Sequence, residues 1–310
     1  MRHGVLAVAI ISVLIGSAAP SSYGDTAYGV GDFMGFDAFS GIGSLNTTTA
    51  KAKMFIHTPG LLWYGATDGL TPDTFFAVAN PSYAPNPGSE LFQINTTSWT
   101  VTSLGFVGAP IREIGLDEST GTLYGTDYAN LYTIPTTGGP ASFVGRFSPA
   151  GTPDNDVIDY VFSLDYDQSI NELVGTSWRP SANQTDLYTV NRSTGEGTLV
   201  GYTGIDSFAD VWESSNSGRL LGISRDGRVL DVDTSSGTAT LTGTAPEVSF
   251  YGMANATSGG SAPQPYLPVV LTNLGYETYS LANVETLVDI SGGGSQLTND
   301  LQESPNPNLN

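Results

Sequence analysis

Residues 187–201 read LYTVNRSTGEGTLVG. Apolar and polar side chains alternate, break at Asn191–Gly195, and alternate again to Val200. A period of two on both sides of a polar break ending in glycine is the pattern of a β-hairpin. Four other stretches repeat it: FMGFDAFSGIGSLN from Phe33, LFQINTTSWTVTSLG from Leu91, LYTIPTTGGPASFVG from Leu131 and VLDVDTSSGTATLTG from Val229. A weaker phrase precedes the later hairpins, as DGLTPDTFFAV (68–78), IGLDESTGTLYG (114–125), FSLDYDQSINELVG (162–175) and DVWESSNSGRLLG (210–222). Each reads as strand, polar turn, strand. Two hairpins make a four-stranded unit, and four-stranded units recurring every 40–50 residues or roughly so are the mark of β-propeller blades.

The expected fold is therefore all-β, a β-propeller over residues 26–260. Its end units are each incomplete. TAYGVGDF (26–33) lacks a first strand, and SFYGMANATSGG (249–260) supplies that strand with nothing matching after it. Five blades are predicted, with one blade shared by the N- and C-terminal strands, which removes an exposed sheet edge. Six blades is the alternative, because MFIHTPGLLWYGATDG (54–69) has room for a further strand; otherwise Met54–Ile56 is the outer strand of the first blade. NPSYAPNPG (80–88) and SWRPSANQTD (177–186) are insertions rich in Pro, Asn and Ser, read as loops on one face, where recognition is usually built.

The phrase LYTVNRSTGEGTLVG, with TGTLYG upstream, resembles the repeats of secreted bacterial propeller proteins in the WD40-like and YVTN-like superfamily, whose pattern is LY-x-ID-x-x-TG-x-x-T-x-VG. The resemblance covers roughly residues 26–260 and implies the fold. It implies no particular activity, because propellers serve as enzymes, ligand readers and assembly platforms. Many such surface proteins carry a C-terminal sorting helix, and no comparable apolar segment appears here, so free secretion is expected over anchoring.

Composition narrows the function classes. Thirty Asp and Glu against ten Lys and Arg give a net charge of −20. No basic footprint exists for nucleic acid, and anionic membrane surfaces are disfavoured. The N-terminus has a cationic MRH, the apolar run VLAVAIISVLIG (5–16) and the small residues Ser17, Ala18 and Ala19. This is the layout of a secretory signal peptide over residues 1–24, cleaved after Ala18 or near Gly24, and it places the chain outside the cell or in the periplasm. The run is short for a membrane span. Residues 261–310 are expected to be a partly disordered tail without a span. With no cysteine, stability must come from an ordinary core, and thiol chemistry is excluded.

Catalytic signatures are scarce. Once His3 leaves with the signal, His57 is the single histidine and reads as a loop residue, so a Ser-His-Asp triad or a histidine metal cage cannot be built. The GxG triplets at 29–31 and 41–43 lie in β segments, not before a helix. Asp154, Asp156 and Asp159 in PDNDVID read as turn and capping residues. Asn-x-Ser/Thr triplets begin at Asn46, Asn95, Asn183, Asn191 and Asn255 and read as turn chemistry.

The axial tunnel remains. The first strand of each blade should be innermost, with Gly69, Gly115, Ser163, Val211 and Gly252 near its middle. Asp68, Glu113, Asp159, Asp210 and Glu247 stand just before them. Converging there, these carboxylates would favour a hard cation, with Ca²⁺ the candidate cofactor; otherwise they are solvated groups at strand entrances. Tyr83 and Trp178 in the insertions are candidate contacts to a protein or glycan partner. The expected function is a secreted, non-enzymatic binding or structural module. The alternative is a calcium-dependent hydrolase resembling lactonase or phosphotriesterase propellers.

Overall fold

The computed structural model describes residues 26–33, 39–58, 60–81, 88–148, 158, 160–179, 184–214, 217–245 and 248–255. The expected signal peptide (1–24) and tail (261–310) lie outside the described residues. Twenty strands form five antiparallel sheets of four strands each, arranged as a five-bladed propeller. Blade I begins with β1 (Thr26–Phe33), β2 (Phe39–Asn46) and β3 (Lys51–His57). Blade II is β4 (Leu61–Asp68), β5 (Thr74–Pro81), β6 (Glu90–Asn95) and β7 (Thr100–Phe106). Blade III is β8 (Glu113–Asp117), β9 (Thr122–Thr126), β10 (Asn130–Ile134) and β11 (Ser142–Arg146). Blade IV is β12 (Val161–Asp167), β13 (Glu172–Arg179), β14 (Gln184–Val190) and β15 (Gly197–Tyr202). Blade V is β16 (Phe208–Glu213), β17 (Leu220–Ser224), β18 (Arg228–Val232) and β19 (Ala239–Thr244).

The remaining strand, β20 (Val248–Asn255), returns to blade I and pairs with β1, from Ala27 opposite Asn255 to Phe33 opposite Val248. Chain start and chain end thus share one sheet, as the half-units at the two ends predict. The stretch that left six blades open holds β3, the outer strand of blade I, and β4, the inner strand of blade II.

The inner strands β20, β4, β8, β12 and β16 each pack against the next around the axis. Alternation along every strand gives each blade two faces, and each face meets a neighbouring blade. The apolar core is accordingly divided into five clusters, one per joint. Tyr28, Phe75 and Trp63 fill the joint of blades I and II, and Phe208, Leu187 and Leu230 that of IV and V.

The recurrent glycines explain why the phrase is conserved within the chain. In the joint of blades III and IV, a Cβ on Gly145 would lie 1.7 Å from the Thr194 carbonyl oxygen, and one on Gly195 would lie 2.7 Å from the Gly145 carbonyl carbon. Gly201 and Gly237 meet the same way between IV and V, with Ser236 O at 1.9 Å from a Gly201 Cβ. The glycine that ends one blade's phrase therefore receives the glycine turn of the next blade, backbone against backbone. Between V and I the partner of Gly243 is Ala50.

The first copy of the phrase is displaced from its sequence-based position. Phe33 ends β1, and the hairpin equivalent to Leu91–Gly105 starts at Ile42 in β2. Its left-handed turn residue is Ala50 (φ 52°), and in blade II it is Trp99 (φ 55°), where blades IV and V have Gly195 and Gly237. Non-glycine residues are strained there. Trp99 is held by packing, with its ring 4.5 Å from Phe55 and 5.5 Å from Tyr28, centroid to centroid.

Gly201→Ala should loosen the IV–V joint and destabilise the fold by about 1–3 kcal/mol, the usual cost of overpacking. Gly88→Ala, where the nearest atoms to a Cβ lie 3.9 Å away, should be close to neutral. Urea unfolding of both variants measures the difference.

Candidate functional site

The inner strands run in the same direction, so the propeller has a front mouth at their first residues and a rear mouth at their last. Four of them are bulged near the front. Pairing shifts by one residue between Trp63 and Gly65, between Val161 and Ser163, between Phe208 and Asp210, and between Phe250 and Gly252. The extra residues are Tyr64, Phe162, Ala209 and Tyr251. In blade III the same place belongs to Arg112, whose N–H donates to Thr126 O at 2.6 Å just before Glu113 pairs with Thr126. A bulge re-aims a side chain away from the sheet's regular alternation. This ring carries three aromatic residues and one arginine.

Further side chains converge on the ring. The Arg112 guanidinium carbon lies 4.0 Å from the Tyr64 ring centre and 5.7 Å from that of Tyr128. Arg225, exposed on the β17–β18 turn, lies 5.2 Å from the Phe162 ring centre. Tyr160 stacks on Phe162 at 6.1 Å and is 48% exposed. Tyr128 holds φ of 86° in its turn, a sparsely populated conformation for a bulky residue that the surrounding packing must hold. Among the described residues neither Arg112 nor Arg225 forms a salt bridge, while Arg179, Arg192, Arg219 and Arg228 all do.

Behind the front ring lies a layer of one residue per inner strand: Gly252, Gly65, Glu113, Ser163 and Asp210. Acids and small residues thus share one level, whereas the sequence spacing predicts two. Gly69, Gly115 and Val211 are not in the layer, because Gly69 follows the end of β4, Gly115 lies two residues past Glu113, and the bulges change the phase. A Cβ on Gly65 would sit 2.4 Å from Glu113 Oε2, so the glycine makes room for the carboxyl.

Of the sequence-predicted acids, Glu113 and Asp210 sit together in this layer, and Asp68 lies further back at the end of β4. Asp159 and Glu247 lie outside the described residues, as does Tyr83. Trp178 is on the front side, half-buried, its N–H donating to Tyr160 O at 3.3 Å. Asp165, missed in the sequence, completes a column of carboxyls in mutual electrostatic contact: Glu113, Asp210, Asp165, Asp68 and Glu118. The alternation of SLDYD marked Asp165 as a strand residue, but nothing in the spacing aimed it at the axis.

These carboxyls join blades. Asp210 Oδ2 accepts the Met253 N–H at 2.6 Å and its Oδ1 accepts the Val211 N–H at 2.8 Å. Asp165 Oδ2 accepts the Glu213 N–H at 2.7 Å, while Thr67 donates to Asp165 Oδ1 at 3.3 Å from the non-adjacent blade II. Thr67 Oγ1 in turn accepts the Leu116 N–H at 3.0 Å. Asp68 accepts the backbone N–H of Asn255 at 2.5 Å and its Nδ2 at 2.8 Å. The joint of blades III and IV is spanned by Arg192, 2.7 Å from Asp117. Every joint therefore has a polar tie. The axis is bridged by Thr67 and Asp165, in place of the open tunnel expected.

Burial in this narrow space pushes Glu113, Asp165 and Asp210 well above the ordinary carboxyl range, and repulsion within the column adds to it. Burial likewise lifts Asp68 to about 7, against the opposing hydrogen bonds from Asn255. A hydrogen bond to a charged group contributes about 1.5–3 kcal/mol, whereas removing an ion from water costs several. Desolvation wins, and Glu113, Asp165, Asp210 and Asp68 are shifted toward the protonated form. Oxygens of Asp210, Asp165 and Asp68 accept backbone N–H groups, and the described residues contain no cluster of three acids or histidines arranged for a metal ion. At the rear, Asp68, Glu118, Asn255 and the 69–74 turn line an open depression of ≈ 260 Å³.

No protein-family model matches the chain, and no curated protein sequence matches it significantly. Solved structures are similar in fold. A chain in the crystal structure of a Nidogen/Laminin complex superposes with a TM-score of 0.50 at 11% identity, covering 74% of this chain and 98% of that one. TolB from Acinetobacter baumannii gives 0.47 at 10% identity, covering 73% of this chain and 54% of that one. A protein of unknown function from Bacteroides thetaiotaomicron gives 0.40 at 12%, with 71% and 51% covered. Together with the five sheets, the first of these places the chain among β-propellers. Among the described residues no helix is long and apolar enough to cross a membrane.

A raised carboxyl pKa makes the folded state bind protons that the unfolded chain has released. Stability from this source is complete below the ordinary carboxyl range and is lost as pH rises through the folded-state values. Asp117, Asp206 and Asp226 are lowered and act in the opposite sense, but below that range. The melting temperature should therefore be higher at pH 5 than at pH 8. Glu113→Gln removes a buried ionisable carboxyl whose Oε2 has no hydrogen bond, and it should raise the pH 8 value and flatten the slope in a calorimetric pH series.

Proposed function

We propose that this propeller is a secreted, non-enzymatic binding module that engages a protein partner with its front mouth. The observation that carries this is the bulge ring: Tyr64, Phe162 and Tyr251 are re-aimed by local register shifts, at the expense of regular pairing, and Arg112 stands at the same level in blade III. Guanidinium groups placed over aromatic rings and in no salt bridge among the described residues suit an acidic side chain on an otherwise apolar protrusion. Their position in a chain of net charge −20 gives the front mouth an electrostatic identity distinct from the rest. The described strands that flank both insertions, β5 and β6 and β13 and β14, have those ends at this mouth, and Trp178 is on the same side.

Secretion is supported by the three-part layout of residues 1–24. N-terminal sequencing of the exported chain should begin at Ala19 or Asp25. The propeller in the Nidogen/Laminin structure is an example of the fold within a protein complex, and the present reading does not depend on it. Binding by the column of buried carboxyls is disfavoured by their ties to backbone N–H groups.

The test places a photo-crosslinking residue at the exposed position of Tyr160 and captures partners from the medium of the producing cells. A partner caught by the parent chain and by Leu70→Ser on the rear side, but at least about tenfold less by Tyr64→Ala/Arg112→Ala, is the expected result. Equal capture by the front-mouth variant overturns the assignment. So does a glycan-array signal that survives Tyr83→Ala/Trp178→Ala while no protein is caught.

A further inference from the structure

The joint of blades III and IV and that of IV and V are built on the same plan, with one substitution. The turn after each inner strand opens with Asp117 in blade III and Asp167 in blade IV, and both use Oδ1 in the same way. Asp117 Oδ1 accepts the N–H and hydroxyl of Ser119, at 3.0 and 2.6 Å, and Asp167 Oδ1 accepts those of Ser169, at 2.9 and 2.5 Å. The second oxygens differ. Asp117 Oδ2 receives Arg192 Nη1 at 2.7 Å from the hairpin turn of the next blade, and that guanidinium lies 5.1 Å from the Tyr166 ring centre. At the equivalent place of blade V stands Thr234. Asp167 is fully buried, and its Oδ2 has no hydrogen-bond partner.

Where Arg192 would sit, the structure has a cleft. It is ≈ 280 Å³ in volume and lined by Asp167 and Ser169 from blade IV and by Gly218, Arg219, Asp233 and Thr234 from blade V, among others. Arg219 does not neutralise Asp167, because its Nε is held by Asp231 Oδ1 at 3.1 Å. Glu213, in electrostatic contact with Asp167, adds to the negative field. The other joints do not share the imbalance. By position in the repeat, the equivalent residues are Gly69 and Thr136 between II and III and Ser214 and Thr47 between V and I, with no carboxylate among them. Nor can residues 256–310 supply the missing cation, since they contain no lysine or arginine. A metal ion is a poor fit, because no group of three acids or histidines among the described residues is arranged to hold one.

We propose that the rear cleft between blades IV and V binds the guanidinium group of an arginine presented by a protein partner, in the manner of Arg192 on Asp117. This site goes beyond the front-mouth reading and is independent of it. A planar fork of N–H donors reaches the buried Oδ2, while the arginine stem lies along the apolar wall given by Leu220 and Val232.

The test titrates the full chain with N-acetyl-arginine-methylamide, followed by calorimetry or NMR. The lysine analogue and Ca²⁺ serve as competitors. Expected is saturable one-site binding in the millimolar range or thereabouts for a single contact, at least about tenfold weaker for the lysine analogue. Thr234→Arg should fill the cleft from within, abolish binding, and raise the melting temperature by about 2–4 °C. That rise should vanish when Asp167→Asn is added, a change that keeps the turn-capping Oδ1. Absence of saturable binding overturns the site. So does equal binding of the lysine analogue, displacement by Ca²⁺, or a Thr234→Arg variant that still binds.

Discussion

Blade-to-blade contact in this protein is made at closest range by backbone, and much of the sequence follows from that. Gly145 against Gly195 and Gly201 against Gly237 leave no volume for a side chain. The glycine that ends one phrase and the glycine that turns the next are two halves of a single contact. Blade IV offers one of each, Gly195 to blade III and Gly201 to blade V, so the phrase is copied where this joint is repeated. Apolar clusters then fill the space on either side of these contacts, one per joint. Near the axis, side chains take over, and Asp68, Asp165, Asp210 and Thr67 cap the N–H groups of neighbouring inner strands. The column of acids reads as a costly site if charge alone is counted. Counted by hydrogen bonds, it is the inner fastening of the ring.

That division shows what could be read without coordinates. Hairpins with period two and a glycine-ended turn are local, so the blade number and the split blade were legible from the repeats. Bulges are not local in the same way, since an extra residue in one strand is visible only against its partner. Each inner strand carries one or its equivalent, and the alignment of small and acidic residues therefore slipped, placing Gly69 where Gly65 belongs and passing over Asp165. The same blindness hid Tyr64, Arg112, Phe162 and Tyr251, whose convergence depends on those inserted residues. In blade I the phrase was read from Phe33 because its apolar pair resembles the others, although the true hairpin begins at Ile42 with Ala50 where later copies have glycine.

The two ends of the axis are chemically unlike. At the front, guanidinium groups lie over phenol and phenyl rings, which attract the cation through their faces. At the rear, acids cluster around the strand ends, and Arg192 is the cation built in to answer Asp117. A chain so short of cations places each with consequence. The asymmetry between Arg192 and Thr234 in otherwise matching turns is a difference in charge at constant geometry, produced by one codon in a repeated unit.

The pairing of β20 with β1 sets the order of events in the life of the chain. Thr26–Phe33 emerges early and Val248–Asn255 nearly last, so the first three strands must wait, one edge unsatisfied, through the making of four complete blades. The contact that seals the circle spans more sequence than any other strand pair, and loop-closure entropy makes such contacts late. A truncated or stalled chain retains blades but has no circle. Pairing of β20 with β1 is thereby the condition for a finished ring, because until it forms that edge of blade I stays open.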